Sequence, residues 1–215
     1  AENAQLWTLV SRPDRWKHVY LSAHGSQSEH VVRLNQEWQM DATPGDWLLT
    51  DGRHVVIGVL EKFSRYAKFL VSKTSKATAV CTLLRHAIID WGVPEGVTTD
   101  NGAEFLSEQL DRALRALEIH QHVCIPFASE EKAHVERVFR TMSHGLLDLL
   151  PGFIGHSVAE RAAIRDRQSF AERIMKGEDV EVAMSSADLQ KELDDWSEHV
   201  YAKDAHSGLG GKSPF

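Results

Sequence analysis

The sequence predicts an α/β domain in which three antiparallel strands are continued by further strands reached through helices. Two observations predict it. Between residues 38 and 71, three apolar or β-branched runs follow one another with only turn signals between them. From residue 76 onward, apolar residues at helical spacing alternate with short strand-like runs, and the chain returns to helical spacing near its end.

The elements follow in order. Residues 1–35 mix polar and apolar positions and read as a linker or arm, with Arg12-Pro13-Asp14-Arg15 and a soft His24-Gly25-Ser26 stretch. Trp38-Gln39-Met40-Asp41-Ala42-Thr43 reads as the first strand and Pro44-Gly45-Asp46 as its turn. After the Asp51-Gly52 signal, residues 54–60 and 66–71 give the second and third strands. A helix is predicted over residues 76–91, where Ala79, Leu83, Ala87 and Trp91 recur every four positions and Gly92-Val93-Pro94 stops the run.

Residues 96–100 are a short strand ending in Asn101-Gly102. A helix over residues 107–117 follows, with Ser107 as its N-cap and Leu110, Leu114 and Leu117 on its apolar side. Residues 120–125 form the fifth strand. From Ser129 the positions Val135, Val138, Phe139, Met142 and Leu146 make one apolar helical face. Residues 151–186 read as helical pieces without identifiable chemistry, 188–201 as a closing amphipathic helix and 205–215 as a Gly-rich tail. The predicted organisation is an arm (1–35), a core (36–150) and a helical insertion with closing helix and tail (151–215).

Composition narrows the class of protein. With 42% hydrophobic and 26% charged residues in 215, the chain can bury a core and is no disordered tail. No run approaches the ~20 apolar residues of a membrane span. The opening Ala1-Glu2-Asn3 lacks a basic start and an apolar stretch, so the chain reads as a fragment or processed form without a secretory signal. Its two cysteines, Cys81 and Cys124, make neither a disulfide framework nor a thiol pair, which points to a reducing cytoplasm.

A net charge of −7 argues against a wholly basic nucleic-acid-binding surface. The acid excess is concentrated after residue 140, however, with eight basic and thirteen acidic side chains there against twelve and fourteen over 41–140. The central segment can therefore grip phosphate if some of its carboxylates hold cations.

Three carboxylates sit where the predicted layout would gather them: Asp41 in the first strand, Asp100 at the end of the fourth, and Glu136 on the helix after the fifth. With 31 acids in the chain, spacing alone matches often by chance. Context adds weight, because Asp100 stands where a strand gives way to an Asn101-Gly102 turn, the place where α/β sheets put their sites. On the helix, Lys132, Glu136 and Arg140 share one face at intervals of four, with Arg137 beside them. That stripe reads either as a metal-binding Glu flanked by phosphate-binding cations or as an exposed face laced with ion pairs worth about 0.3–0.5 kcal/mol each.

Three runs carry a family resemblance. Trp38-Gln39-Met40-Asp41, then Thr98-Thr99-Asp100-Asn101-Gly102-Ala103-Glu104-Phe105, then Ala133-His134-Val135-Glu136-Arg137-Val138-Phe139-Arg140-Thr141 resemble the D, D, E catalytic core of retroviral integrases and bacterial transposases. His206-Ser207-Gly208-Leu209-Gly210-Gly211-Lys212-Ser213-Pro214 is similar to the H-S-x-L-G-G-x-T-P segment that often closes such cores. Pro13-Asp14-Arg15-Trp16-Lys17 and Gly155-His156-Ser157-Val158-Ala159-Glu160-Arg161 look more like the phage Mu type of transposase. One departure is Lys132, where many relatives carry Asn or Gly, which makes the helix entrance more basic.

The resemblance implies a ribonuclease H-like mixed five-stranded sheet flanked by helices, here with an extra C-terminal helical segment. It implies Asp41, Asp100 and Glu136 as catalytic metal ligands and Lys132, Arg137 and Arg140 as DNA contacts. Oxygen-only ligands suit Mg2+ or Mn2+, two ions per site about 3.5–4 Å apart, acting in an in-line phosphodiester displacement. The implied activity is cleavage at the ends of a transposable element and transfer of the 3′-hydroxyl into target DNA. The implied partners are element-end and target DNA and further copies of the chain, in a bacterial host or prophage.

Weaker candidates stand beside these. Gly211-Lys212-Ser213 lacks the earlier glycine and following helix of a phosphate-binding loop. His120, His122 and Cys124 alternate onto one strand face but have no evident fourth zinc ligand. Asp46 and Asp51 compete with Asp41 but lie in turn-rich sequence, and the six tryptophans read as packing residues, Trp47 least clearly. Two other functions remain open: a catalytically silent scaffold for DNA binding or assembly, and a ribonuclease H or structure-specific nuclease. The second is disfavoured because the predicted first helix offers only Asp90, near its end.

Overall fold

The computed structural model describes residues 31–45, 49–124, 132–147, 150 and 184–214, together with Trp7, Val10, Ser11 and His30. Contacts divide the chain into residues 1–30 and residues 31–215. In the first unit, Ser11 Oγ donates to the Trp7 carbonyl, 2.6 Å away. The second unit carries the sheet.

The five strands are β1 (Glu37–Pro44), β2 (Val55–Glu61), β3 (Ala67–Ser72), β4 (Gly96–Thr99) and β5 (His120–Val123), in the spatial order β3-β2-β1-β4-β5. β1, β2 and β3 pair antiparallel in chain order, whereas β4 joins β1, and β5 joins β4, in parallel. A parallel neighbour needs a crossover. Helices α1 (Ala77–Trp91) and α2 (Glu108–Ala116) supply the two crossovers.

Alternation along β1 decides what each face becomes. Trp38 and Met40, both fully buried, point to the face covered by α1 and α2, where they meet Val80, Leu83, Leu84, Ala87, Leu110 and Leu114. Gln39 and Asp41 point to the other face, under α3 (Ala133–Gly145) and α4 (Ser186–His199). There Val135, Val138, Phe139 and Met142 of α3 pack with Leu189, Leu193 and Trp196 of α4 on Val56, Leu60 and Phe69.

Gly58, the partner of Asp41 in the β1–β2 register, lets α3 come close. A methyl group there would lie 2.8 Å from Phe139 Cζ. α1 ends at Gly92, whose positive φ of 93° is one that glycine adopts without a Cβ penalty, with its N–H on the Ile88 carbonyl.

The remaining boundaries differ slightly from the predicted ones. Ser107 caps α2 as expected, accepting from the Leu110 N–H, but the helix stops at Ala116 and leaves Leu117 43% exposed rather than on the apolar face. α3 begins at Ala133, and the start predicted at Ser129 lies outside the described residues. α4 begins earlier than predicted because Ser185 and Asp188 form a capping box, and a separate 3-10 turn holds Tyr201–Lys203.

α4 also covers the sheet's edge. Gln190 accepts from the Val71 N–H and donates to the Phe69 carbonyl, and Ser197 Oγ donates to the Ala67 carbonyl, so backbone groups of edge strand β3 are satisfied. The Gly-rich tail is an ordered closing turn, with His206 bridged to Lys212 around a 3-10 helix at Ser207–Leu209.

Candidate active site

Two aspartates meet at one cation. Asp41 reaches the site from the middle of β1, and Asp100 from the residue directly after β4. Lys132, at the N-terminus of α3, places its ammonium 3.3 Å from Asp41 Oδ1 and 3.4 Å from Asp100 Oδ2.

Local chemistry fixes each carboxylate. Asp41 Oδ1 accepts from the Ala42 N–H at 3.0 Å, and Asp100 Oδ1 accepts from the Gly102 N–H at 2.8 Å. Gly102 has to be small, since a Cβ there would stand 2.9 Å from Asp100 Oδ1. Asn101 ties the turn down by donating to the Cys124 carbonyl at the end of β5.

Glu136 arrives on the first turn of α3. That helix has no side-chain cap of its own. Its third N–H, from Val135, is instead accepted by Gln39 Oε1 at 3.1 Å, in the buried interior of the sheet face. This N–H is one that an N-cap side chain ordinarily satisfies. A strand residue two positions before Asp41 thus sets where the helix carrying Glu136 begins.

The electrostatics of the site favour an added cation. Burial pushes the Asp41 carboxyl above its ordinary value, opposed by the Lys132 charge and the Ala42 N–H, with Asp100 adding to the rise. Burial raises Glu136 as well, Lys132 and Arg140 opposing and Asp41 adding. For Lys132 burial acts downward, but Asp41 and Asp100 outweigh it, and its pKa is raised. Burial thus works against the charged forms of Asp41 and Glu136, and one ammonium serves Asp41 and Asp100.

The donors are all oxygens, and the ammonium already sits where two of them converge. This fits a hard divalent cation, with Asp41 and Asp100 as the first ligands and Glu136 within electrostatic reach. Among the described residues, no three His, Cys, Asp or Glu side chains converge closely enough to hold a metal ion unaided.

The other predicted residues are placed as follows. Lys132 turns to the aspartates across the sheet, and no salt bridge joins Glu136 to Lys132 or Arg140 among the described residues. Arg137 and Arg140 are exposed on α3. Asp51 serves a different purpose, accepting from the N–H and hydroxyl of Ser186 at the start of α4, while Asp46 and Trp47 lie outside the described residues. His120 and His122 are exposed, and Cys124 is buried.

Sequence reasoning missed a polar row beside the site. Glu37 on β1 takes the Lys62 ammonium at 2.9 Å on both its oxygens, and the Thr98 hydroxyl at 2.9 Å. His134, facing this row, is pushed down to about 4 by burial and by the charges of Arg65, Lys62 and Arg137. Gln39 was legible as a same-face neighbour of Asp41 at period two. Arg65 and His134 carried no local signal.

Known proteins are similar to this chain in sequence and fold. Residues 69–152 match the family model described as the TnsB C-terminal domain. A stretch of 115 residues, 52% of the chain, is 32% identical to the Pol polyprotein of equine infectious anemia virus (strain Wyoming), covering 9% of that protein. Over 163 residues, 69% of the chain, it is 26% identical to the transposase for transposon Tn552 of Staphylococcus aureus, covering 34% of it. The chain therefore spans well under two thirds of the length of either relative.

The HTLV-2 integrase catalytic core domain, solved in complex with magnesium in its dimeric form, aligns with a TM-score of 0.52 at 16% identity, over 85% of this chain and 95% of that one. The fold is the ribonuclease H-like fold of retroviral integrase cores. The sequence similarities support a catalytic core of the transposase and integrase kind. No helix among the described residues is long and apolar enough to cross a membrane.

Proposed function

We propose that this chain is the catalytic core of a metal-dependent DNA transposase or integrase, which cleaves DNA at the ends of an element and joins the freed 3′-hydroxyl to target DNA. The observation that carries the reading is the convergence of Asp41 and Asp100 on one cation, within electrostatic reach of Glu136.

Asp41 and Asp100 would hold a divalent cation between them, and Glu136 would complete a second site from α3. When bound, two Mg2+ or Mn2+ ions activate the attacking oxygen and stabilise the leaving one in an in-line displacement. The chain's own groups do the positioning. The Ala42 and Gly102 N–H groups aim the two aspartates, and Gln39 sets the register of the helix that brings Glu136. Lys132, once released from the carboxylates, becomes a mobile cation for a phosphate oxygen, alongside exposed Arg137 and Arg140. With water as nucleophile the site nicks a strand, and with a DNA 3′-hydroxyl it joins one. Neither step requires a covalent bond to the protein.

The proposed partners are element-end and target DNA and further copies of the chain, assembled on paired ends. The phage Mu type is the proposed subclass, carried by residues 13–17 and 155–161, which lie outside the described residues. A second reading, a silent scaffold for DNA binding or assembly, has one observation in its favour: Lys132 already neutralises the aspartate pair from within. Strand joining by Asp100→Asn separates the two. The variant is expected to keep the wild-type circular dichroism and lose joining. Retained joining removes Asp100 from the site, and a wild type that neither cuts nor joins favours the scaffold.

A further inference from the structure

Under the closing turn, away from the aspartate pair, one donor of a buried cation lacks a partner. Arg65, in the β2–β3 turn, is 7% exposed, and its Nη1 is buried with no hydrogen-bond partner. None of its guanidinium donors is used by another described residue. Its backbone stands at φ 68°, a conformation that non-glycine residues adopt at an energetic cost and that recurs at functional positions. A buried guanidinium nitrogen without an acceptor is expensive, and such an orphan calls for an explanation.

The nearby acids are already committed. Glu61, whose charge reaches Arg65, spends its oxygens on the N–H groups of Asn35, Phe63 and Ser64 and on the Ser64 hydroxyl. Glu37 is taken by Lys62 and Thr98. Three more polar groups share the neighbourhood. The charges of Arg65 and Arg137 both act on Tyr201 and on His134. Neither the Tyr201 hydroxyl, the His134 ring nor the Arg137 guanidinium has a hydrogen-bond partner among the described residues. Gly208 of the closing turn lies alongside, where a methyl group would be 3.8 Å from Arg65 Nε.

We propose that Arg65, Arg137 and the Tyr201 hydroxyl, with His134 at the edge, form a phosphate-binding site at the junction of the β2–β3 turn, α3 and the closing turn. Two guanidinium forks and a hydroxyl offer donors matched to the oxygens of a phosphate group, and an anion there supplies the acceptor that Arg65 Nη1 lacks. Assigning that phosphate to a DNA strand rests on the function proposed above, whereas affinity for the phosphate group does not. Glu136 and Arg137 are consecutive on α3, so a strand held at the reaction centre can place another of its phosphates at this site. The closing turn acts as the cover of the site, and the Gly-rich sequence around Gly208 keeps it thin.

The test has two arms on wild type, Arg137→Gln and Arg65→Gln, with circular dichroism to confirm folding. Arg137 is exposed, so its variant keeps the test decisive if Arg65→Gln fails to fold. In the first arm, inorganic phosphate is added against chloride of equal ionic strength. It is expected to raise the wild-type melting temperature, and Arg137→Gln is expected to lose the effect. In the second, a fluorescein-labelled duplex is titrated over a salt series, where Arg137→Gln is expected to bind about tenfold more weakly with a salt slope smaller by about 0.9.

Loss in both arms supports a site for a DNA phosphodiester. Loss in the phosphate arm alone supports a phosphate site filled by free phosphate. Phosphate protection in a protein that binds no DNA supports the site while the proposed function fails. No phosphate protection of the wild type beyond chloride, with Arg137→Gln binding DNA as wild type does, overturns the proposal and leaves Arg65 Nη1 to a buried water.

Discussion

Replacing Lys132 with Met should make the metal-free protein less stable and its metal site tighter. The ammonium stands 3.3 and 3.4 Å from two carboxylates, with side-chain exposures of 19% for Lys132, 13% for Asp41 and 35% for Asp100. At an effective dielectric of about 20, each contact is worth about 5 kcal/mol of direct attraction. Desolvation of three partly buried charges offsets most of that, leaving a net about 1–3 kcal/mol. Lys132→Met forfeits this net term and leaves Asp41 and Asp100 to repel each other.

A divalent cation entering the wild-type site has to expel the ammonium and lose the same term, which the variant does not. Metal affinity should therefore rise about 5- to 150-fold in Lys132→Met. Calorimetric titration with manganese reads the affinity, and urea melts with and without magnesium read the stability. A variant with unchanged or weaker metal binding and unaltered stability in the absence of metal would refute the view that Lys132 stands in for the cation.

Other consequences are equally direct. Gln39→Leu keeps the volume but leaves the Val135 N–H buried without its acceptor, which should cost about 1–3 kcal/mol in a urea melt. A wild-type midpoint would show that α3 is set by its apolar face alone. Gly58→Ala drives a methyl to 2.8 Å from Phe139, a ring confined by Phe69 with centroids 5.8 Å apart, and should cost about 1–3 kcal/mol. Unchanged stability would mean the ring swings clear. Asp51 is held below its ordinary value of 3.8, chiefly by the Ser186 hydroxyl, so its stabilisation is present above that value and lost as pH falls through the lowered one. Ser186→Ala should move acid unfolding to higher pH, and an unmoved acid midpoint would detach Asp51 from the stability of α4.

Much of the candidate site's placement was legible because its signals are local. The strand-to-turn change at Asp100-Asn101-Gly102 is written in three residues, and the alternation around Asp41 and the 3.6-residue periodicity of Val135, Val138, Phe139 and Met142 are written in ten or fewer. What was not legible depends on partners far away in sequence. Lys132 looks like a neighbour of Glu136 and Arg140 on a helix stripe, but two carboxylates across the sheet offer it more acceptors than one half-buried acid a turn away. The last residues read only as a Gly-rich tail. Gly210 and Gly211, at φ 64° and 84°, shape a closed turn, with the His206 ring against Tyr201, their centroids 4.6 Å apart. Arg65 gave no signal because its character comes from what surrounds it after folding.

The central claim, that Asp41 and Asp100 hold a catalytic divalent cation in the place of the Lys132 ammonium, is tested most directly by soaking crystals in manganese and locating the ion by its anomalous scattering. The account predicts a peak bound by both aspartates with the ammonium displaced. An ammonium still seated between the two carboxylates at saturating manganese, with no peak beside them, would contradict it.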